Sequence, residues 1–214
     1  MNDYSEKIRK ESKKKVKKLG YIYNPNLPLL EVNEFKIKNI DSIVSRILIL
    51  EGLGAVSYGF DRDITYSWLE KENLVNDMFE NEKKFIMENN KESDDILLYK
   101  TQIEAAYALC WSISIAHELD FGCSCPNNFI TLLPNLKEKE SSSKFREKAH
   151  LISKNEIIKA LDLAYCLHWA IVEARVNNKN NKTNVEPYVI IERRRALEWI
   201  LSYDSDWYDV NLDT

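Results

Sequence analysis

The sequence contains few residues that bend a chain or cross-link it. Among its 214 residues are five glycines, five prolines and four cysteines. So few Gly and Pro residues argue against a turn-rich all-β architecture and favour long helices. A chain of this length buries roughly 70% of the surface that it exposes when unfolded. Its stability therefore requires neither a disulfide nor a bound metal.

Long apolar runs are also missing. The first residues, MNDYSEKIRKESKKK, include no apolar segment of the kind found in a secretory signal. The longest mostly apolar stretch, 105–116, is shorter than the roughly 20 residues that a membrane span needs. We therefore expect a soluble, cytoplasmic protein whose cysteines are reduced thiols.

Only the first 20 residues have a net positive charge. Residues 1–20 contain eight Lys/Arg and three Asp/Glu, whereas the remainder contains 22 and 31. The acidic remainder argues against nucleic acid as the main partner. Tyr4, Ile8 and Val16 form an apolar stripe too thin for a membrane-binding helix. We expect the lysines to pack, solvated, against the acidic remainder of the protein.

Familiar catalytic and metal-binding motifs are absent from the sequence. There is no phosphate-binding loop, no nucleophile elbow and no His-Glu metal helix. His117, Cys123 and Cys125 are close in sequence, and Cys166 and His168 could complete a set of four ligands. However, Cys-x-Cys-Pro does not have the spacing of a zinc site. We predict that the protein binds no metal and needs no cofactor.

Apolar residues at helical spacing predict an all-α fold, a single-domain bundle of about six or seven helices over residues 1–214. Its parts are a basic N-terminal helix over 1–20, an irregular or extended segment over 21–40, a helical core over 41–203 and an acidic aromatic tail over 204–214.

Residues typical of helix ends divide the core further. Asp41 is predicted to cap the second helix, Gly20 to close the first in a left-handed turn, and Pro187 to occupy the first turn of the last. Ser153 and Glu156 fit a capping box. The predicted helices are about Asp3–Leu19, Asp41–Glu51, Asp63–Glu72, Asp77–Asn89, Asp94–Leu119, Lys154–Val176 and Pro187–Tyr203, with a loop at 177–184.

The charges of the stretch VIIERRRALEWI do not all lie on one side of the last helix. At 100° per residue, Arg193 falls within the apolar stripe, whereas Arg194, Arg195 and Glu198 point towards water. The stripe consists of Val189, Ile190, Ala196, Leu197 and Ile200.

Two acids lie on apolar faces in the same way. Glu104 is in line with Trp111 and Ile115, and Asp162 lies at the edge of a stripe that has His168 at its other edge. A lone buried charge is too costly to keep. We therefore expect Arg193 to be buried and paired with Glu104, Asp162 or both, because a guanidinium can bridge two carboxylates. The pairing would be either a brace between helices or part of a ligand pocket.

Four ordered stretches resemble a bacterial family known as domain of unknown function 4272. They are EAAYALCWSI, EIIKALDLAYCLHWAIVEAR, VIIERRRALEWI and WYDVNLDT, and the resemblance extends from about Lys10 to Thr214. The positions that match are Glu104, Trp111, Asp162, His168, Trp169, Glu192, Arg193, Ala196, Leu197, Trp199, Trp207, Asp213 and Thr214. The family pattern has an aromatic-Arg pair where this chain has Thr101-Gln102, and an arginine in place of Cys166. The resemblance implies the fold and the choice of residues but no reaction.

Two functions remain open on the sequence alone. The first is a protein-interaction module, for example of the immunity type, with a protein partner and without binding to nucleic acid or membrane. Aromatic side chains would anchor that partner: Trp169, Trp199, Tyr203, Trp207 and Tyr208.

The alternative is a small-ligand-binding protein or an enzyme. Its pocket would be lined by Glu104, Asp162, His168, Glu192 and Arg193. His168 would act as general acid or base and Arg193 would bind an anion. A concave pocket would favour this alternative, and a closed core with an exposed aromatic patch would favour the interaction module.

Overall fold

The structure is a computed structural model that describes residues 2–88, 92–178, 181 and 183–214. Within these residues the chain forms α-helices and short 3₁₀ turns, and its only β-type pairing is an isolated parallel bridge between Lys36 and Ser202. The predicted all-α fold is confirmed. The helices are α1 (Asn2–Lys18), α2 (Ile40–Ser57), α3 (Arg62–Lys71), α4 (Glu80–Met87), α5 (Ser93–Thr101), α6 (Ile103–Ser112), α7 (Ser143–Lys148), α8 (Lys154–Val176) and α9 (Pro187–Leu201).

The helices belong to two compact units. The first unit, Met1–Lys38 with Glu118–Ser124 and Ile152–Thr214, contains α1, α8 and α9. The second unit, Asn39–His117 with Cys125–Leu151, contains α2 to α7. The single domain over 1–214 stays a prediction.

The helix ends of the first unit follow their local sequence signals. In the predicted capping box, the Ser153 hydroxyl accepts the amide proton of Glu156 and the Glu156 carboxylate accepts that of Ser153, both at 3.3 Å. Gly20 has a φ of 84°, and the next amide, of Tyr21, donates to the carbonyl of Val16. Pro187 occupies the first turn of α9. These three predictions are confirmed.

Helix α1 is part of the core of the first unit. Its inner face packs on α8 and consists of Ser5, Ile8, Arg9, Ser12 and Val16. Its lysines are on the other side and are exposed, so the expectation that they pack against an acidic body is wrong. The reason is amphipathicity: the apolar side of α1 is thin but sufficient when α8 offers a matching face.

Helix α2 is the centre of the second unit. Most of its residues are buried, and it packs against α3, α4, α5 and α6. The side chain of Asn39 caps the helix by accepting the amide proton of Ser42 at 2.7 Å. The predicted cap at Asp41 is therefore wrong by two residues, since Asn and Asp are equally good caps and both occur here.

The long helix predicted over Asp94–Leu119 is wrong. The chain instead forms α5 and α6, which are separated at Gln102, and α6 ends at Ser112. Ser114 has a φ of 63°, a left-handed conformation that stops the helix without glycine. No Gly or Pro between 94 and 119 signals either interruption.

Some predictions extend beyond the described residues. The end of the predicted helix at Asn89 lies outside them, as do positions 179, 180 and 182 of the predicted loop at 177–184. Among the residues that are described, no helix is both long and apolar enough to cross a membrane.

Candidate functional site

Asp162 on α8 forms a buried ion pair with Arg9 on α1. The Nη2 and Nε atoms of Arg9 donate to Oδ1 of Asp162 at 2.8 Å and 3.0 Å. The guanidinium also donates to the carbonyls of Leu27 and Pro28 at 2.7 Å and 2.8 Å. Arg9 thus connects α1, α8 and the segment between α1 and α2. The prediction that Arg193 would neutralise Asp162 is corrected, because Arg9 fills that role.

His168, also on α8, accepts a hydrogen bond from Arg194 on α9. Nη1 of Arg194 lies 2.8 Å from Nδ1 of His168. A guanidinium can only donate, so Nδ1 is the acceptor and the ring proton is on Nε2. The same guanidinium donates to the carbonyls of Leu212 at 3.0 Å and Asp213 at 2.9 Å, and to Glu198 at 3.3 Å.

Arg194 was expected in water and is instead 3% exposed. The correction has a clear cause: the non-helical segment 202–214 returns to α9 and offers its carbonyls to this guanidinium. Helical periodicity shows which side of α9 carries Arg194, but not that another segment covers that side. The neighbouring Arg195 is only half-buried.

The surroundings of His168 favour its neutral form. Burial lowers the pKa of His168 to about 4, and the positive charges of Arg194 and Arg195 act in the same direction. With that pKa, about one ring in a thousand is protonated at pH 7. Because Nδ1 is already hydrogen-bonded, the described geometry does not support the role of general acid or base.

Tyr165 connects these two clusters. The guanidinium carbons of Arg9 and Arg194 lie 5.8 Å and 4.8 Å from the centroid of its ring. Both distances fall within the range of cation–π attraction. Asp162, Tyr165 and His168 follow one another at three-residue spacing along α8, so one helix carries the whole array.

The remaining predicted residues also have internal partners. Glu192 is buried and accepts a hydrogen bond from Nε of Arg195 at 3.1 Å. Burial raises the pKa of Glu192, and Arg195 opposes the shift. Arg193 is fully buried, as predicted, and donates to the carbonyl of Asp120 in the first unit. In the second unit, Glu104 is buried and accepts the amide proton of Cys125 at 2.8 Å.

The five predicted site residues therefore each make their own contact with a different partner. Glu104 belongs to the second unit and Arg193 to the first, so their pairing stays a prediction. Sequence reasoning missed Arg9 and Tyr165. Arg9 could have been found, since it lies on the same face of α1 as Val16 and is the one arginine among seven lysines of that helix.

The four cysteines are free thiols. Burial, with a smaller contribution from the negative charge of Asp162, raises the pKa of Cys166 to about 12, so this thiol is unreactive. Among the described residues, no three His, Cys, Asp or Glu side chains are grouped closely enough to hold a metal ion. Elemental analysis of the protein remains the test of the predicted absence of metal.

Two of the predicted aromatic anchors are in the core. Trp199 and Trp207 are buried and pack edge to face, with ring centroids 5.4 Å apart. They stabilise the return of segment 202–214 onto α9 and are not available to a partner. Tyr203 is 53% exposed, and Trp169 and Tyr208 are half-buried.

One face of α8 becomes progressively more exposed along the helix. Ile158 and Asp162 are buried, Trp169 is half-buried, and Val172 and Val176 are 37% and 71% exposed. Spacings of three, four and seven residues place all five on the same side. We call the uncovered part of this face, Trp169, Val172 and Val176, the α8 stripe.

The comparisons with known proteins identify a family. Residues 8–210 match the family model "Domain of unknown function (DUF4272)", so the chain belongs to that family. No curated protein and no solved structure matches the chain. Membership of this family assigns no activity to the chain.

Proposed function

We propose that the chain is a protein-interaction module that binds a partner protein through the α8 stripe. The supporting observation is the change along one face of α8, which is buried at Ile158 and exposed at Val176. A partner with an apolar surface would continue the packing that α1 provides over the first half of the helix.

The position of α1 explains why the stripe is uncovered. Arg9 contacts Asp162, and Glu11 lies 3.5 Å from Lys159, so the two helices run antiparallel. Both rise by about 1.5 Å per residue. The start of α1 is therefore level with about residue 169 of α8, and Val172 and Val176 extend beyond it.

The energetics favour binding at this position. Burying a fully exposed valine side chain stabilises a complex by about 1.5 kcal/mol or more, and Val172 and Val176 retain 37% and 71% of their exposure for a partner to cover. Tryptophan is enriched among the residues that contribute most to binding near the centre of interfaces. Nearby Glu173 and exposed Arg175 would form the polar rim of such a surface. The α8 stripe thus has the composition of a small protein-binding surface.

The polar residues give less support to an enzyme. Asp162, His168 and Glu192 are each bonded to an arginine of the first unit. The contacts of Asp162 and His168 brace helices together, whereas Glu192 and Arg195 lie on the same helix, α9. The interaction module is the better account of the chain. An immunity protein, which neutralises a toxin by binding it, would be one example. The proposal includes a cytoplasmic location, where free thiols persist.

Photo-crosslinking in cells that produce the protein tests the proposal. A photoreactive amino acid at position 175, next to the stripe, should form a covalent adduct with one partner protein. Val172→Asp with Val176→Asp should reduce the adduct by about tenfold or more, because two buried carboxylates would oppose binding. Both positions lie at the C-terminal end of α8, where the helix dipole disfavours negative charge, so each substitution should lower the free energy of unfolding by about 1 kcal/mol. A loss of this size leaves the fold intact.

Leu97→Asp is the matched control, because Leu97 is 62% exposed and lies in the second unit. It should leave the adduct unchanged. An adduct that survives the double valine variant, or that Leu97→Asp removes equally, would show that the α8 stripe is not the binding surface.

A further inference from the structure

The outer side of α1 carries a row of lysines. Lys7, Lys10, Lys14, Lys17 and Lys18 are all exposed and lie opposite the buried side of the helix. At 100° per residue these five fall within an arc of about 100°. We call this row the lysine face. It is separate from the α8 stripe, and the inference drawn from it does not depend on the proposed function.

Acids of α1 offset only part of the charge of the lysine face, since Asp3 lies within its arc and Glu6 and Glu11 lie at its edges. In the part of the chain that the structure describes, none of its five lysines forms an ion pair. Glu11, at the edge of the row, contacts Lys159 instead. Lys17 and Lys18 are in the last turn, where the helix dipole favours positive charge. That explanation does not extend to Lys7, Lys10 or Lys14.

Repulsion within the row is offset in part by acids at helical spacing, since Asp3 is four residues from Lys7 and Glu6 four residues from Lys10. Like charges three or four residues apart destabilise a helix by about 0.2–0.5 kcal/mol per pair. Lys7 and Lys10, Lys10 and Lys14, and Lys14 with both Lys17 and Lys18 have these spacings. The buried pair of Arg9 with Asp162 holds α1 in place despite this repulsion. The charges are therefore presented in a fixed arrangement.

Two features of the sequence and structure argue against a membrane or a nucleic acid as the ligand of the lysine face. Ile8 and Val16 face the core, so α1 has no apolar side to insert into a membrane. No aromatic side chains alternate with the lysines for stacking on bases.

We propose that the lysine face is a docking surface for an acidic segment of a partner protein. From Lys7 to Lys18 the row extends for about 16 Å, the length of about five residues of extended chain. A short run of Asp or Glu would match it. Exposed ion pairs contribute about 0.2–1 kcal/mol each, so binding through this face is fast, weak and strongly reduced by salt.

Binding of labelled poly-L-glutamate of about 20 residues, measured at low ionic strength, tests the proposal. Lys7→Gln, Lys14→Gln and Lys18→Gln together should weaken binding about tenfold or more. The matched control is Lys137→Gln, Lys144→Gln and Lys148→Gln, which changes net charge equally at exposed lysines of the second unit. The control should change the dissociation constant by less than about twofold.

Replacing Lys7, Lys14 and Lys18 by arginine should preserve binding, and circular dichroism should show unchanged helix content in every variant. Absence of binding by the unaltered protein would overturn the proposal. Equal losses in the two glutamine variants would also overturn it, since net charge alone would then explain the binding. So would tighter binding of short duplex DNA, or of phosphatidylserine vesicles, that depends on the same lysines.

Discussion

The two units stabilise buried acids differently. In the first unit, Asp162 is bonded to Arg9 and Glu192 to Arg195. In the second, Glu82 is bonded to Arg46, but Glu51 is buried with one carboxylate oxygen that has no hydrogen bond among the described residues. Both of these acids in the first unit are paired with an arginine, whereas the second unit contains one acid for which burial favours the neutral form.

The pKa of Glu51 shows the consequence. Burial raises the pKa of Glu51 well above its ordinary value, and the negative charge of Glu140 raises it further. No arginine opposes these effects. Asp162 and Glu51 are both buried, but in the described part of the chain only Asp162 is contacted by an arginine from another helix. Stability measurements can test this at both positions.

Breaking the pair in the first unit should have the largest effect. Asp162→Ala leaves the buried guanidinium of Arg9 without its carboxylate and should lower the free energy of unfolding by about 3–5 kcal/mol. Urea unfolding monitored by circular dichroism measures the loss. Arg9→Met combined with Asp162→Leu should recover part of it, because both buried charges are removed while the Leu27 and Pro28 carbonyls lose their donor. A double variant less stable than Asp162→Ala would show that the contacts of Arg9 with these carbonyls contribute more than its pairing with Asp162.

Removing Arg194 should have the next largest effect. Arg194→Ala leaves the Leu212 and Asp213 carbonyls without their donor and should cost about 3 kcal/mol. Arg195→Ala should cost about 1 kcal/mol, because Arg195 is half-buried and Glu192 can take up a proton in its absence. Thermal unfolding of the two variants compares them directly. Equal losses would mean that segment 202–214 is not held by Arg194.

The sequence predicted the fold because its signals are local. A capping box at Ser153, a left-handed glycine at Gly20 and Pro187 in a first turn each depend on a few neighbouring residues. The break at Gln102 was missed because no residue there is unusual for a helix. Its buried side-chain amide has no hydrogen-bond partner in the described residues.

The candidate site was less predictable, because it depends on contacts between distant residues. Helical spacing identified Asp162 and Arg193 as inward-facing. It could not select Arg9 as the partner of Asp162, since the two are 153 positions apart. It also misplaced Arg194, because the chain after α9 has no period from which its path can be derived.

His168 allows the first unit to be tested by pH. The pKa of His168 is about 4 when folded, below the ordinary value of 6.5. As the pH falls from 6.5, the unfolded chain binds a proton that the folded chain does not, so stability decreases. Between pH 6.5 and 4.5 this loss should reach about 2 kcal/mol. His168→Asn keeps an acceptor for Arg194 and should remove that part of the pH dependence, as unfolding at several pH values would show. If the stability of His168→Asn and that of the unaltered protein changed identically with pH, His168 would not be buried in its neutral form.

Glu51 should give the smallest effect, with the opposite dependence on pH. The pKa of Glu51 is raised in the folded protein. As the pH rises above the ordinary pKa of glutamate, the unfolded chain releases a proton that the folded chain retains, and stability decreases. The contribution of Glu51 to stability is therefore fully present only below that ordinary pKa. Glu51→Gln has the shape of the protonated acid and cannot ionise. It should match the unaltered protein at pH 4 and be more stable by about 1 kcal/mol at pH 8. Glu138→Gln, at an exposed position, changes net charge equally and should have no such effect. A destabilised Glu51→Gln at pH 8 would mean that the carboxylate is ionised and paired, and the contrast between the two units would then disappear.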